Sequence, residues 1–559
     1  MDMAVDADRS GTEFDPGIQF GGSDQTSEDE PYYFWVNNDN DSGSDDEAED
    51  LQPTSGTDYL DGQIDSARDL EDFSRLWINV DGIADQLKDG SLRLGLEWKN
   101  VSEGDPAIRL YNAVEVDGGM KYLFDENVAN QQKSTAPPSP YAAIAMEESA
   151  ADGRIFFPED FWDDLPGNGI VHFLFEATSA GKGELVFSLQ ANTAGLPQDI
   201  DMSMSGVWFD LKNITDMYQH FTVGDSIDVF PSSSANELNG VSKTDLDEME
   251  LEEDYILFVH GWRMYPWERR AFAETSFKRL YWQGYKGRFG MFSWPTEWAP
   301  RVWWFGGNPD PTDPQNYTRS ERKARLSGEG LESLLNTLNG QYSSRLHMFA
   351  HSMGNVVASE GLRLHGSGEL VSTFIACQSA STAHSYDGVN PEVIETDSST
   401  QTPEVYRDYP VGNQPYYGQI GSAAGTIINF HNRQDDALSG WSIGQDLKPD
   451  YGWYYDDGDS WWYRDDSTFP VPDTALFFPG DRYEIFAHIA EARSRALGAA
   501  VHGQFTVAGS VDDSFDLNTG FSSAEFNYSD TAEDHSAQFR STNMRRSEFY
   551  RTLLDYMGL

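Results

Sequence analysis

Basic side chains are scarce in this 559-residue chain: 38 Lys and Arg stand against 93 Asp and Glu, a formal net charge of −55. Such a surface repels phosphate backbones and anionic bilayers, which argues against nucleic-acid binding. Dense carboxylates also stay soluble in high salt, where their repulsion is screened. Lys is scarcer than Arg, which leans toward a saline habitat. Cysteine is nearly absent. The one thiol, Cys377, lies in the apolar run Phe374-Ile375-Ala376-Cys377 and reads as a buried small hydrophobe. No intramolecular disulfide can form. No apolar run approaches the ~18 residues of a membrane span. The start shows no basic-then-apolar leader. Met1-Asp2-Met3-Ala4-Val5-Asp6 reads as a start placed inside a longer protein, so an extracellular or cell-surface location is an expectation only. Oligomeric state is not legible.

What is present is apolar material: 39 % hydrophobic and 13 % aromatic residues, which excludes a wholly disordered chain. The length exceeds what one core serves. Residues 1–60 form an acidic, Gly/Ser-rich lead segment. Within it Asp6, Asp8 and Ser10 before Gly11 have the spacing that opens a calcium loop, without its closing acid. Asp39 and Asp41 form a second run of alternating carboxylates. A solvated acidic linker and a structural calcium site both remain open.

Residues 61–240 alternate short apolar runs with turn signals, among them Arg75 to Val80, Leu92 to Trp98, Ile170 to Phe175 and Glu184 to Leu189. This predicts an all-β accessory domain, sandwich or jelly-roll-like. The charge run Asp245 to Asp254 reads as a linker. From 241 to 559 the pattern becomes strand, loop, helix. Five apolar strands are expected, at Tyr255–Val259, Gly290–Trp294, Leu346–Ala350, Thr373–Ala376 and Thr426–Phe430. Helical patterns lie at Glu268 to Trp282, Ser327 to Leu338, Asn355 to Leu364 and Tyr483 to Val501. Apolar strands alternating with helices mean a mostly parallel, doubly wound sheet.

A nucleophilic serine on a strand-to-helix turn needs small residues two before and two after it. Three places match: Ala177 to Gly181 around Ser179, Ala350 to Gly354 around Ser352, and Gly440 to Gly444 around Ser442. Ser179 reads as part of a hairpin, since Gly183 and another strand follow. Ser442 lacks a leading apolar strand, and Pro449 and Gly452 cut short any helix after it. Ser352 alone has an apolar strand before it and a helical pattern, Val356 to Leu364, after it. The free N–H groups of that helix start, Met353 first, would face a developing oxyanion.

On the elbow Ala350-His351-Ser352-Met353-Gly354, residues from about 250 to 559 resemble the α/β-hydrolase superfamily, especially its lipase and esterase branch. The resemblance implies a second oxyanion donor after the first apolar strand, at His260-Gly261-Trp262, with the Trp262 N–H preferred. It implies an acid after a late strand and a histidine near the C-terminus. Asp435 and Asp436 both follow the strand Thr426–Phe430, and Asp435 fits the Asn-x-x-Asp turn of similar hydrolases. Of the histidines beyond, His488 falls on a helix stripe and His502 at a helix end. His535 sits in a polar loop before the last helix, where the resemblance puts the base, although no clear strand leads into it. The acidic stretch from Val511 to Asp534 reads as an inserted loop.

The expected enzyme is a serine hydrolase cleaving small or polymeric carboxylic esters through an acyl-enzyme, with no cofactor for catalysis. An amidase or peptidase would use the same triad. From another class comes a non-catalytic surface or adhesion protein whose β domain binds calcium or glycans. Trp294 and Trp298 open an aromatic-rich insertion and are candidate substrate-pocket residues; core packing is the competing account.

Overall fold

The structure is a computed structural model. Apart from a few positions inside these ranges, it describes residues 1–7, 24–36, 68–115, 118–132, 147–149, 154–193, 196–200, 206–224, 229–249, 251–264, 266–296, 314–381, 420–432, 511–521, 535–540 and 548–559, with Arg9, Gln63–Ile64, Tyr386, Asp435 and Leu438.

Two large sheets hold the chain. The first has nine strands and draws on residues from 2 to 213. At its centre two long strands, Leu92–Asn112 and Ile170–Thr193, run antiparallel. The hairpin expected at Ser179 is absent. Ser179 lies inside the second long strand opposite Ala107, and the ladder absorbs the irregularity through register shifts between Lys99/Glu103 and Gly104/Ala107 on the partner strand. A bulge lets a strand bend without ending.

The acidic lead segment is not all linker. Asp2–Val5 pairs with Ser74–Asn79, and Tyr32–Val36 pairs parallel with Val207–Asn213. Both carry apolar side chains that only a core can take: Val5, Phe34 and Trp35 are fully buried. Asp6 is buried too and meets Arg75 at 2.6 Å. A buried carboxylate needs such a counter-charge. Asp8, Ser10, Asp39 and Asp41 lie outside the described residues. Among the described residues, no group of three or more His, Cys, Asp or Glu is placed to hold a metal ion.

The second sheet has eight strands: β1 (Gln219–Thr222), β2 (Asn236–Glu237), β3 (Tyr255–Val259), β4 (Arg288–Ser293), β5 (Leu346–His351), β6 (Val371–Cys377), β7 (Ala424–His431) and β8 (Asp513–Asp516). Their order is β2-β1-β4-β3-β5-β6-β7-β8. Every neighbouring pair is parallel except β1 with β2. β3, β4 and β5 are buried at every residue, as strands covered on both faces must be. The boundary set at residue 240 falls too late, because β1 and β2 already belong to this sheet. The charge run that read as a linker begins as a helix, Lys243–Glu248, closed by a capping box between Ser242 and Asp245. The stretch read as an inserted loop contains β8. Its Phe515 packs 5.2 Å from Phe430, which explains how so acidic a segment stays on the sheet edge.

Helices α1 (Pro266–Trp282), α2 (Pro314–Tyr342), α3 (Gly354–His365) and α4 (Phe549–Met557) connect or follow these strands. Helix α1 also seats the first sheet. Trp35 lies edge-on to Tyr281 at 4.9 Å. Lys278 meets Asp72 at 2.6 Å with both side chains fully buried, and Arg279 meets Glu71 at 3.2 Å. The Trp282 indole donates to the Glu71 carbonyl at 2.8 Å. No helix among the described residues is long and apolar enough to cross a membrane.

Candidate active site

β5 ends at His351, and the chain turns into α3 within two residues. Ser352 takes φ +54°, a left-handed conformation that costs a non-glycine residue energy and is held only where the surroundings enforce it. Here they do. The Ser352 N–H donates to the Cys377 carbonyl at 3.1 Å, and the Ser352 carbonyl accepts from Asn355 N–H and Ala380 N–H, each at 3.1 Å. The Asn355 side-chain amide adds bonds to the carbonyls of Ala350, Ser352 and Cys377.

The small residue at 354 has a visible cause. A Cβ there would stand 2.4 Å from the His260 carbonyl oxygen and 2.6 Å from that of Val259. The start of α3 therefore presses on the end of β3. Met353, the predicted oxyanion donor, is fully buried at this helix start.

The loop after β3 lies against Ser352. A Cβ on Gly261 would fall 3.1 Å from Ser352 Cβ and 2.9 Å from His351 Nδ1. Trp262, the second predicted donor, follows and is half-buried. His260 fixes the loop. Its Nδ1 donates to the Gly261 carbonyl at 2.8 Å, and its Nε2 accepts the Trp294 backbone N–H at 3.1 Å. That pattern needs a neutral ring. Burial, then the charge of Arg269, hold its pKa well below the ordinary value.

Trp294, expected at a substrate mouth, is fully buried instead. It stacks on His260 at 5.5 Å and donates its indole N–H to the His260 carbonyl at 2.8 Å. A tryptophan at a strand end reads alike from sequence whether it packs or lines a pocket, and here it braces the loop. Trp298 lies outside the described residues, as do Ser442, Asp436, His488 and His502.

Asp435 follows β7 and is almost wholly buried. Its Oδ2 meets His535 Nδ1 at 2.6 Å across 100 positions of sequence. Its Oδ1 accepts the Leu438 N–H at 2.9 Å. The acid and base chosen from sequence are thus brought together. The sequence reading missed Gln378, whose side-chain amide donates to Asp435 Oδ2 at 2.6 Å. Gln378 itself has φ +40° just beyond β6, as Ser352 does just beyond β5. Its place immediately after a buried strand, beside the elbow strand, was the only available signal. His351 was also missed; its Nε2 lies 2.7 Å from the His535 carbonyl oxygen.

Chemically, the arrangement offers a strained serine at a helix start, a loop packed against it, and a partly exposed histidine whose Nδ1 is held by a buried carboxylate. Residues 239–372 match the family model described as "Alpha/beta hydrolase of unknown function (DUF900)". A comparison with curated proteins gives no match. Among solved structures, the chain is similar to a Mycobacterium tuberculosis puromycin-hydrolyzing peptidase, at 12 % identity and TM-score 0.25, over 68 % of this chain and 46 % of that one. It is similar to the Pyrococcus horikoshii acylaminoacyl peptidase at 11 % identity and TM-score 0.24, over 68 % and 53 %. It is also similar to Aspergillus fumigatus lipase B at 10 % identity and TM-score 0.18, over 51 % and 76 %. The chain thus spans about half the length of the two peptidases. The family match begins just after β2 and runs through the elbow into β6, and over those residues the chain is similar to that α/β-hydrolase family.

Proposed function

We propose that the chain is a serine hydrolase of carboxylic esters, with Ser352 as nucleophile, His535 as general base and acid, and Asp435 as the group that orients the imidazole. The observation that carries this reading is the 2.6 Å contact between Asp435 Oδ2 and His535 Nδ1. With Nδ1 committed to the carboxylate, Nε2 is the ring nitrogen left to exchange protons with substrate and nucleophile.

The Ser352 hydroxyl proton passes to His535 Nε2 as Oγ bonds to the ester carbonyl carbon. The carbonyl oxygen becomes an oxyanion, for which the backbone N–H groups of Met353 and Trp262 are the donors in this reading. The tetrahedral intermediate collapses, the C–O bond to the alcohol breaks, and the leaving oxygen takes the proton from His535. Water then repeats the cycle on the acyl-enzyme, releasing the acid and Ser352. Asp435 keeps its negative charge throughout and stabilises the imidazolium. An ester is the favoured substrate because an alkoxide leaves more readily than an amine and asks least of the acid–base pair.

The test is a chromogenic ester panel, from short to long acyl chains, with matched amides, on the wild type and on Ser352→Ala. Turnover of esters by the wild type and its loss in Ser352→Ala support the reading. Turnover of amides alone would replace it with a peptidase or amidase. Equal activity in both proteins would remove Ser352 from the chemistry.

A further inference from the structure

The residue between Ala350 and Ser352 is a histidine that the triad does not use. The His351 side chain is only 3 % exposed. Its Nε2 lies 2.7 Å from the backbone carbonyl oxygen of His535, 184 positions away. A carbonyl only accepts, so this nitrogen carries the proton and the His351 ring is the donor. The two rings lie 4.8 Å apart, tilted by 43°. Phe539 closes on His351 edge-on at 5.1 Å and is itself stacked on Phe272 of α1 at 4.4 Å. On the other side, the Gly261 loop approaches so closely that a Cβ there would meet His351 Nδ1. One imidazole therefore sits among the elbow, the loop after β3 and the segment that carries the base.

Resting on the triad reading above, we propose that His351 is a positioning residue for His535. Asp435 fixes the orientation of the base by holding its ring, but a single side-chain bond leaves the backbone beneath it free to slide. The second tether falls on the backbone of His535 itself and ties it to the residue next to the nucleophile. The base and Ser352 then move as one body. A displacement of about 1 Å in such a pair costs on the order of a hundredfold in rate. His351 exchanges no proton with substrate in this role.

The test uses the full chain and three variants. His351→Phe keeps a ring and loses the donor. His351→Gln can place an amide N–H near the Nε2 position, and His351→Asn is polar but too short. Melting curves and phosphonate labelling of Ser352 accompany the kinetics. The expected result is a kcat lower by roughly tenfold to a hundredfold in the Phe and Asn variants. KM stays within about twofold and the acid limb of the pH–rate profile shifts, while His351→Gln recovers most of the rate. A folded His351→Phe with wild-type kcat and pH limb overturns the proposal. So does a His351→Gln no faster than His351→Asn, since the ring would then act by packing alone. Should His351→Phe fail to fold, the Gln and Asn pair decides by itself. A wild type that turns over no ester and leaves Ser352 unlabelled overturns the triad reading, and this role with it. An active wild type beside an equally active His351→Phe overturns this role only.

Discussion

Gln378 donates its side-chain amide to Oδ2 of Asp435 at 2.6 Å, the same oxygen that meets Nδ1 of His535. Both partners are buried, so the bond acts in a medium where it is stronger than in water. It fixes the oxygen that meets His535, the base of the proposed triad. Hydrogen bonds to charged groups contribute about 1.5–3 kcal/mol. Gln378→Leu is therefore expected to lower kcat by roughly tenfold to a hundredfold with little change in KM. Ester kinetics on the purified variant check this. An unchanged kcat would show that Leu438 N–H alone suffices to hold Asp435.

Gly261 leaves no room for a side chain. An alanine Cβ would press on His351 Nδ1 and Ser352 Cβ together. Either the loop after β3 retreats or the elbow shifts, and both disturb the spacing of the proposed oxyanion donors, Met353 and Trp262. Gly261→Ala is expected to lose roughly a hundredfold in kcat/KM, with a stability cost of about 1–3 kcal/mol. Kinetics and a denaturant curve separate the two effects; full activity would remove this loop from the site.

The first sheet reaches the segment of His535 through α1. Glu71 meets Arg279, and Arg279 Nη1 donates to the carbonyl of Gln538, three residues beyond His535, at 2.5 Å. Arg279→Met leaves Glu71 buried without this counter-charge, at a cost of about 3–5 kcal/mol. The double variant with Glu71→Gln is expected to regain part of that stability, because the buried charge is gone as well. Thermal melts of the three variants measure the coupling. Their ester kinetics show whether the loss of the Gln538 bond also slows the base.

Buried histidines make the fold acid-sensitive. Burial, and then the charges of Arg270 and Arg269, lower the His220 pKa from 6.5 to about 3. His260 is held well below the same value, and His347 is lowered by burial. The unfolded chain takes up these protons below about pH 6.5, whereas the folded chain resists them, His220 down to about pH 3. Proton uptake thus favours unfolding, so stability is full above that window and is lost as pH falls through it. Melting temperatures are expected to drop between roughly pH 7 and pH 5, and less steeply in His220→Gln, which keeps a polar partner for Ser293. An equal slope in the variant would exclude His220 from the effect.

The second sheet was readable because its central strands are continuous apolar runs, and burial on both faces permits little else. The elbow was readable because its crowding demands a small residue on each side, seen here as Gly354 against the carbonyls of β3. The strand-rich first region was harder. Ile170–Phe175 and Glu184–Leu189 looked like two strands around a turn, because Gly183 stands just before the second run and glycine is common in turns. A bulged ladder with Leu92–Asn112 carries them through as one strand. β8 was missed because an acidic edge strand lacks a two-face apolar pattern; packing of Phe515 on Phe430 holds it.

The sequence by itself determined the strand-to-helix grammar from Tyr255 onward and which of three matching serines stands on a strand-to-helix turn, while Asp435 and His535 came from the resemblance as candidate acid and base. The strands and the elbow follow from local rules, since burial and tight turns restrict which residues can stand where. Only the tertiary structure decided what lies beside Ser352, Asp435 and His535. Gln378 on Asp435, His351 on the His535 carbonyl, Trp294 on His260 and Glu71 on Arg279 join residues from about 30 to over 200 positions apart. No local pattern encodes such pairs. They exist because the two sheets and α1 bring donors and acceptors together where water is excluded and an unmet polar group is costly.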